Sequence, residues 1–194
     1  MSFFLLLAVV LLVILLVTIL LTFYALFSLI FSTIKGAPYI KNDDIVIFQS
    51  LKLCGLDSTT KFVDLGSGDG KVLFIANAFF NANAIDGYEI SPWPYRISMF
   101  KNYLLGSKSK IKIFCKSIFE VDLSTYNVIY AYLLPSLLKK LRPQILKALS
   151  VKPDLLIVTP AFQIDGLKPI KVDKVFHRKF NRFINIYVYG KDSV

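Results

Sequence analysis

Phe62-Val63-Asp64-Leu65-Gly66-Ser67-Gly68-Asp69-Gly70-Lys71-Val72 is the stretch on which the fold turns. Phe62 to Leu65 is a short apolar run of the kind that forms a buried strand. Three glycines then alternate with Ser67 and Asp69, and a helical pattern opens at Lys71, with Val72, Ile75, Ala76 and Phe79 on one face. Strand, glycine turn and helix start make a nucleotide-type cofactor site. Glycine permits a tight turn and leaves no Cβ between backbone and ligand, and the helix N-terminus offers free N–H groups to an anion. The dinucleotide fingerprint Gly-x-Gly-x-x-Gly is not met, because the third glycine falls one residue early. A phosphate-binding loop would end in Gly-Lys-Ser/Thr, and Val72 stands there instead.

Asp64, Leu65 and the alternating Gly66, Gly68 and Gly70 resemble motif I of the seven-strand S-adenosylmethionine-dependent methyltransferases. The resemblance implies S-adenosyl-L-methionine as cofactor, with its methionine carboxylate at the helix end. Glu89 closes the next apolar segment, about 20 residues past the glycine turn, where a ribose diol is held in nucleotide-binding sheets. A carboxylate accepts from both hydroxyls of a diol. The alternative for these residues is a tight turn and a solvated strand-end acid. The cofactor set is therefore Asp64, Gly66, Ser67, Gly68, Gly70, Glu89 and Ile90. Ser117 and Ile118 join it after the third strand, where related enzymes place an acid against the adenine amino group.

Further segments alternate in type. Strands are expected at Phe62–Leu65, Ala84–Glu89, Ile111–Lys116, Val128–Leu133 and Leu155–Thr159, and helices at Lys71–Phe80, Pro94–Leu105 and Pro135–Leu149. Ile170–Phe176 and Phe183–Tyr189 read as a closing hairpin. Such alternation argues an α/β fold with helices on both faces of a largely parallel sheet. In the resemblance this is a Rossmann-like class I methyltransferase sheet. A helix with Ile45, Val46, Phe48, Leu51 and Leu53 on its apolar face, capped by Asn42 or Asp43, precedes the first strand.

The chain has 194 residues and a mean hydropathy of +0.60, high for a soluble protein. Met1 to Ile34 carries no charge and supplies much of that value. About 20 apolar residues cross a ~30 Å hydrocarbon core, so this segment reads as a single transmembrane helix. A signal peptide would need a basic start, a shorter apolar core and a small-residue cleavage site. All 23 Lys and Arg lie beyond it, for a net charge of +10. Lys35 and Lys41 flank one end only, which places the following domain on the cytoplasmic side, or on the interior side of a mitochondrion. The expected organisation is an anchor over 1–34, a linker and helix over 35–61, and a cofactor-binding domain over 62–194. Basic residues are scattered without a dense run, which favours an anionic lipid surface over nucleic acid as partner. Cys54 and Cys115 are expected as core residues, His177 as a solvated one, and no metal-ligand cluster is seen.

Several segments together resemble the membrane-anchored lysine methyltransferases known in mitochondria for modifying the adenine nucleotide translocase and the c-subunit of ATP synthase, with prokaryotic relatives. These are the N-terminal span, Gly36-Ala37-Pro38-Tyr39-Ile40, the glycine motif, Gly87-Tyr88-Glu89-Ile90-Ser91-Pro92-Trp93, Phe119 to Ser124, and Tyr130-Ala131-Tyr132-Leu133-Leu134-Pro135. The resemblance covers roughly the first two-thirds of the chain. Departures are Lys41-Asn42-Asp43 in place of Pro-Thr/Ser-Pro, Ser91 for a common Asn and Ser117 for a common Asp. The resemblance implies a protein-lysine N-methyltransferase acting on a membrane-associated protein. Tyr39, Tyr132 and Asp43 are its candidates around the amine, and Trp93 is expected beside the cofactor crevice. A tethered domain that binds the cofactor without catalysis, and methylation of a small molecule or lipid, stay open as alternatives.

Overall fold

The computed structural model describes residues 3–34, 42–178 and 180–193. Tyr39, the Pro38 turn and the flanking Lys35 and Lys41 lie outside the described residues.

Helix α1, Phe3–Ile34, is one continuous uncharged helix, roughly 48 Å long at 1.5 Å per residue. Its Phe3–Ser28 part is long and apolar enough to cross a membrane. The Thr18 and Thr22 hydroxyls donate to the carbonyls of Ile14 and Thr18, which satisfies these polar groups within the helix itself.

Seven strands follow: β1 Lys61–Leu65, β2 Ala84–Tyr88, β3 Ile111–Phe114, β4 Val128–Tyr130, β5 Leu156–Pro160, β6 Lys171–His177 and β7 Arg182–Tyr189. Their order is β3-β2-β1-β4-β5-β7-β6. The first five pair in parallel, and β7 inserts antiparallel between β5 and β6. The expected α/β sheet and closing hairpin are thus present. Order reverses between β1 and β4, so their carboxyl ends open a crevice, the usual ligand position in such a sheet.

Both faces are covered, because alternate residues of a strand point to opposite sides. Phe62, Val128 and Tyr130 pack with Val46, Ile47 and Leu51 of α2 (Asp44–Leu53) and Leu73 of α3 (Lys71–Ile75). Val63, Leu65 and Ile129 pack with Leu138, Leu141 and Ile145 of α5 (Pro135–Val151). Helix α2 is therefore part of the core.

Element ends differ from the sequence pattern in instructive ways. Strands β2, β3 and β4 stop one to three residues before the expected ends. Helix α3 continues through Ala76–Phe80 as a π-helical turn. Helix α4, Pro92–Leu105, starts two residues before Pro94; a proline at the first helical position loses no hydrogen bond. Cys115 is exposed just past β3 rather than within it, while Cys54 is buried and burial pushes its thiol up to about 12. His177 is fully buried, contrary to the solvated position expected of it. The alternation of β6 turns Val175 and His177 inward, and the imidazole stacks on Phe180 at 4.3 Å.

Candidate active site

The glycine turn has the backbone its sequence requires. Gly66, Gly68 and Gly70 all have positive φ, at 83°, 54° and 82°. A Cβ on Gly66 would lie 3.1 Å from Leu133, and one on Gly70 2.7 Å from the Phe74 ring. The N–H groups of Gly66 and Ser67 both donate to the Tyr88 carbonyl, which ties the turn to the end of β2.

Glu89 sits immediately beyond. Its carboxylate accepts from Gly68 N at 2.8 Å and from Ser91 N at 2.6 Å, so it is oriented before any ligand arrives. Each oxygen retains a further lone pair for a hydroxyl donor. Burial pushes the Glu89 carboxyl up, partly offset by bonds from Ser91 and Gly68. Asp64, at the end of β1, is buried too. Desolvation first and the Glu89 charge second hold its carboxyl well above the usual range.

One cavity joins these groups. Its walls include Asp64, Gly66, Ser67 and Glu89 on one side, and Asn42, Tyr130, Tyr132, Phe162, Phe180 and Arg182 on the other. Of the residues expected from the sequence, the structure brings Asp64, Gly66, Ser67, Glu89 and Tyr132 together here. Gly68 and Gly70 shape the turn behind them, and Ile90 follows Glu89 outside the lining. Ser117 and Ile118 do not reach the lining. Ser117 caps a short 3-10 turn, accepting from Phe119 N while Glu120 reaches back to Ser117 N. Asp43 also serves as a cap: its carboxylate accepts from Ile45 N and, across the fold, from Arg178 N at 2.9 Å. Trp93 packs edge-on against Tyr24 of α1, 5.7 Å between ring centroids.

Asn42, Tyr130 and Arg182 belong to the site although the sequence does not mark them as site residues. Asn42 donates through Nδ2 to the Tyr130 hydroxyl at 2.8 Å, and the Lys71 ammonium donates to the Asn42 carbonyl. Tyr130 pairs in register with Asp64 across β1 and β4. Burial, then the Asp64 charge, raises its phenol well above the ordinary value. The one local signal is Tyr130's period-two spacing to Tyr132.

The site fits S-adenosylmethionine on its own chemistry. Two buried acids suit a cofactor carrying ammonium and sulfonium charges. The buried Ser67 hydroxyl has no hydrogen-bond partner, and an orphaned polar atom in a cavity wall is a position for a ligand. Among the described residues no cluster could hold a metal ion.

Solved structures share this architecture. An RNA methyltransferase from Salinibacter ruber, in complex with S-adenosyl-L-homocysteine, superposes with a TM-score of 0.71 at 25% identity, covering 80% of this chain and 95% of that one. Magnesium protoporphyrin IX methyltransferase from Synechocystis, with bound cofactor, shares the fold at a TM-score of 0.56 and 12% identity, over 75% of this chain and 76% of that one. Sheet order, glycine turn and paired acids define an S-adenosylmethionine-dependent methyltransferase. Residues 64–171 match the family described as the ANTKMT methyltransferase domain, and the chain belongs to that family. A protein-lysine N-methyltransferase from Saccharolobus islandicus is 30% identical over 163 residues, 82% of this chain and 98% of that protein. The adenine nucleotide translocase lysine N-methyltransferase of Mus musculus is 28% identical over 112 residues, 58% of this chain. The Xenopus laevis lysine N-methyltransferase of the ATP synthase c-subunit is 30% identical over 119 residues, 59% of this chain. This chain spans about half the length of these two vertebrate relatives, 48% and 51%.

Proposed function

We propose that this methyltransferase modifies a lysine ε-amine of a membrane-associated protein, with residues 1–34 as anchor and the crevice on the cytoplasmic or mitochondrial interior side. The observation that carries the membrane assignment is the docking of α1 onto the edge of the cofactor site. Ser28 of α1 bonds Ser91, and Ser91 bonds Glu89. The lysine assignment is supported by the family and by its lysine N-methyltransferase relatives.

When bound, S-adenosylmethionine supplies an electrophilic methyl carbon: the new N–C bond forms as the S–C bond breaks. The chain's own task is to orient and desolvate the amine, and positioning of this kind is worth roughly 7–11 kcal/mol. Glu89, held by Gly68 and Ser91, is assigned to the ribose hydroxyls, and Asp64 with Ser67 to the methionyl end. Tyr132, Phe162 and Phe180 would line the amine channel, while Tyr130, in register with Asp64, belongs to the cofactor end. Only a neutral amine can attack. Burial among these rings lowers a lysine pKa, and Arg182 at the cavity wall adds a repelling positive charge. Tyr39 stays a candidate from the sequence; Asp43 acts more simply as a cap.

Labelled S-adenosylmethionine, supplied to the full chain in its native membranes, should place acid-stable label in membrane protein as methyl-lysine. Label confined to lipid or RNA would refute the lysine reading. The RNA arm is included because the Salinibacter ruber neighbour carries that activity.

A further inference from the structure

Helix α4 presents a second surface that no step of methyl transfer uses. Trp93, Arg96, Phe100, Tyr103 and Leu104 recur at helical spacing and form one stripe. The stripe's first turn meets α1: Tyr24 packs edge-on against Trp93, and the Tyr24 hydroxyl accepts from Arg96 Nε. The remainder lies open, with Phe100 64%, Tyr103 80% and Leu104 67% exposed. Three consecutive large apolar positions on one stripe are unusual for a face meant for water.

The direction of the contact says what covers them. Ser28 meets Ser91 and the Trp93 N–H, while Tyr24, one turn earlier in α1, meets Trp93 and Arg96. Moving along α4 from Ser91 to Arg96 therefore follows α1 backwards, from Ser28 toward the span. Continuing from Arg96 to Leu104 advances about 12 Å along the helix axis, in the direction of the apolar residues of α1. Tyr24, Trp93 and Arg96 are the aromatic and basic types that settle at a membrane–water boundary.

We propose that the outer face of α4 lies in the lipid interface beside α1, with Phe100, Tyr103 and Leu104 entering the boundary between head groups and acyl chains. The chain then meets the bilayer through two helices rather than one. A lone anchor leaves the domain free to swivel. A second contact, running from Ser91 at the site's edge down into lipid, fixes which side of the crevice faces the membrane. This inference rests on the reading of α1 as a membrane span, and its test separates the two.

The full chain, with Trp93→Phe to remove its single tryptophan, is reconstituted in vesicles of phosphatidylcholine and phosphatidylglycerol brominated near the top of the acyl chains. Tryptophan is then introduced singly as Phe100→Trp or Tyr103→Trp on the stripe, Leu12→Trp in the span, or Val151→Trp at the end of α5 on the opposite face of the sheet. Phe100→Trp and Tyr103→Trp should lose fluorescence relative to unbrominated vesicles, as Leu12→Trp does, while Val151→Trp keeps its intensity. Quenching of Leu12→Trp without either stripe variant would overturn the α4 contact and leave the anchor standing. Emission from the stripe that is blue-shifted but unquenched would overturn it in favour of a protein partner. Failure to quench Leu12→Trp would remove the membrane reading and this inference together.

Discussion

The hydroxyl oxygens of Ser28 in α1 and Ser91 at the head of α4 lie 2.8 Å apart, both buried. Ser91 N in turn donates to the Glu89 carboxylate, so two successive hydrogen bonds join the apolar helix to the acid assigned to the cofactor. Ser28 Oγ also accepts from Trp93 N at 3.0 Å, which satisfies a helix N-terminal N–H that would otherwise be buried unpaired.

Ser28→Ala should accordingly destabilise the α1–α4 junction by about 1 kcal/mol. Ser91→Ala should cost less, since its N–H to Glu89 remains. In the double variant the losses should fail to add, with a coupling of about 0.5 kcal/mol or more. Thermal unfolding of the four proteins in one detergent reads this. Strict additivity would mean that the hydroxyl contact contributes nothing.

Cofactor affinity should rise with pH through the raised titrations of Asp64 and Glu89. Both carboxyls are pushed above their ordinary values by burial, and Asp64 further by the Glu89 charge. The folded protein without cofactor therefore holds protons that the unfolded chain has released. Its stability falls as pH climbs from the ordinary carboxylate range through the folded values. A cationic cofactor prefers both acids ionised, so its binding strengthens over the same window and expels protons. S-adenosylhomocysteine lacks the sulfonium charge and should show a shallower rise. Calorimetric titration with both ligands across that window tests the sign, and a flat or falling affinity for the cationic ligand would contradict it.

Local chemistry was legible in the sequence and long-range convergence was not. The glycine turn and Glu89 could be read because each depends on a few contiguous residues: a positive-φ backbone after a strand, and an acid at the next strand's end. Tyr130 reaches the cavity through the β1–β4 register, Arg182 through the β6–β7 hairpin and Asn42 from the turn before α2, and no single segment tells that the three converge. Ser117 and Asp43 carry the right chemical groups, but both lie at turn starts, where Ser and Asp also serve as caps. His177 followed its strand's alternation inward although Arg178 beside it suggested a wet surface.

Gly70→Ala should destabilise more than Gly55→Ala. Both residues have positive φ, 82° and 66°, so each alanine incurs about 1–2 kcal/mol of backbone strain. At Gly55 nothing lies within 4 Å of the new methyl group. At Gly70 it would meet Phe74 at 2.7 Å and the Ser98 Cβ at 3.0 Å. Denaturant unfolding of the two variants measures the difference, and equal losses would show that Phe74 yields freely.

Asp43→Asn should keep methyl transfer near the wild-type rate, because asparagine can still cap α2. Asp43→Ala should lower stability by about 0.5–2 kcal/mol through the lost bonds from Ile45 and Arg178. Loss of turnover in a folded Asp43→Asn protein would restore a chemical role to this carboxylate.

Tyr130 and Tyr132 stand two residues apart at the end of β4 and share a cavity, yet their phenylalanine variants should fail in different ways. Tyr130 is fully buried and takes the Asn42 Nδ2 donor. Tyr130→Phe leaves that buried donor without its partner, at about 1–3 kcal/mol. It also removes the phenol in register with Asp64, so both thermal stability and cofactor affinity should drop. Tyr132 is only half-buried, its phenol raised by burial and pulled back by the Arg182 charge. Tyr132→Phe should leave stability and cofactor affinity nearly intact and act on the acceptor step. A loss of about 1.4 kcal/mol in transition-state contact would appear as a tenfold fall in kcat/KM for the protein substrate. Calorimetry with the cofactor and single-turnover transfer to the protein substrate, run on both variants, separate the two roles. Weakened cofactor binding in Tyr132→Phe, or unchanged stability in Tyr130→Phe, would reverse the assignment and place Tyr130 at the amine.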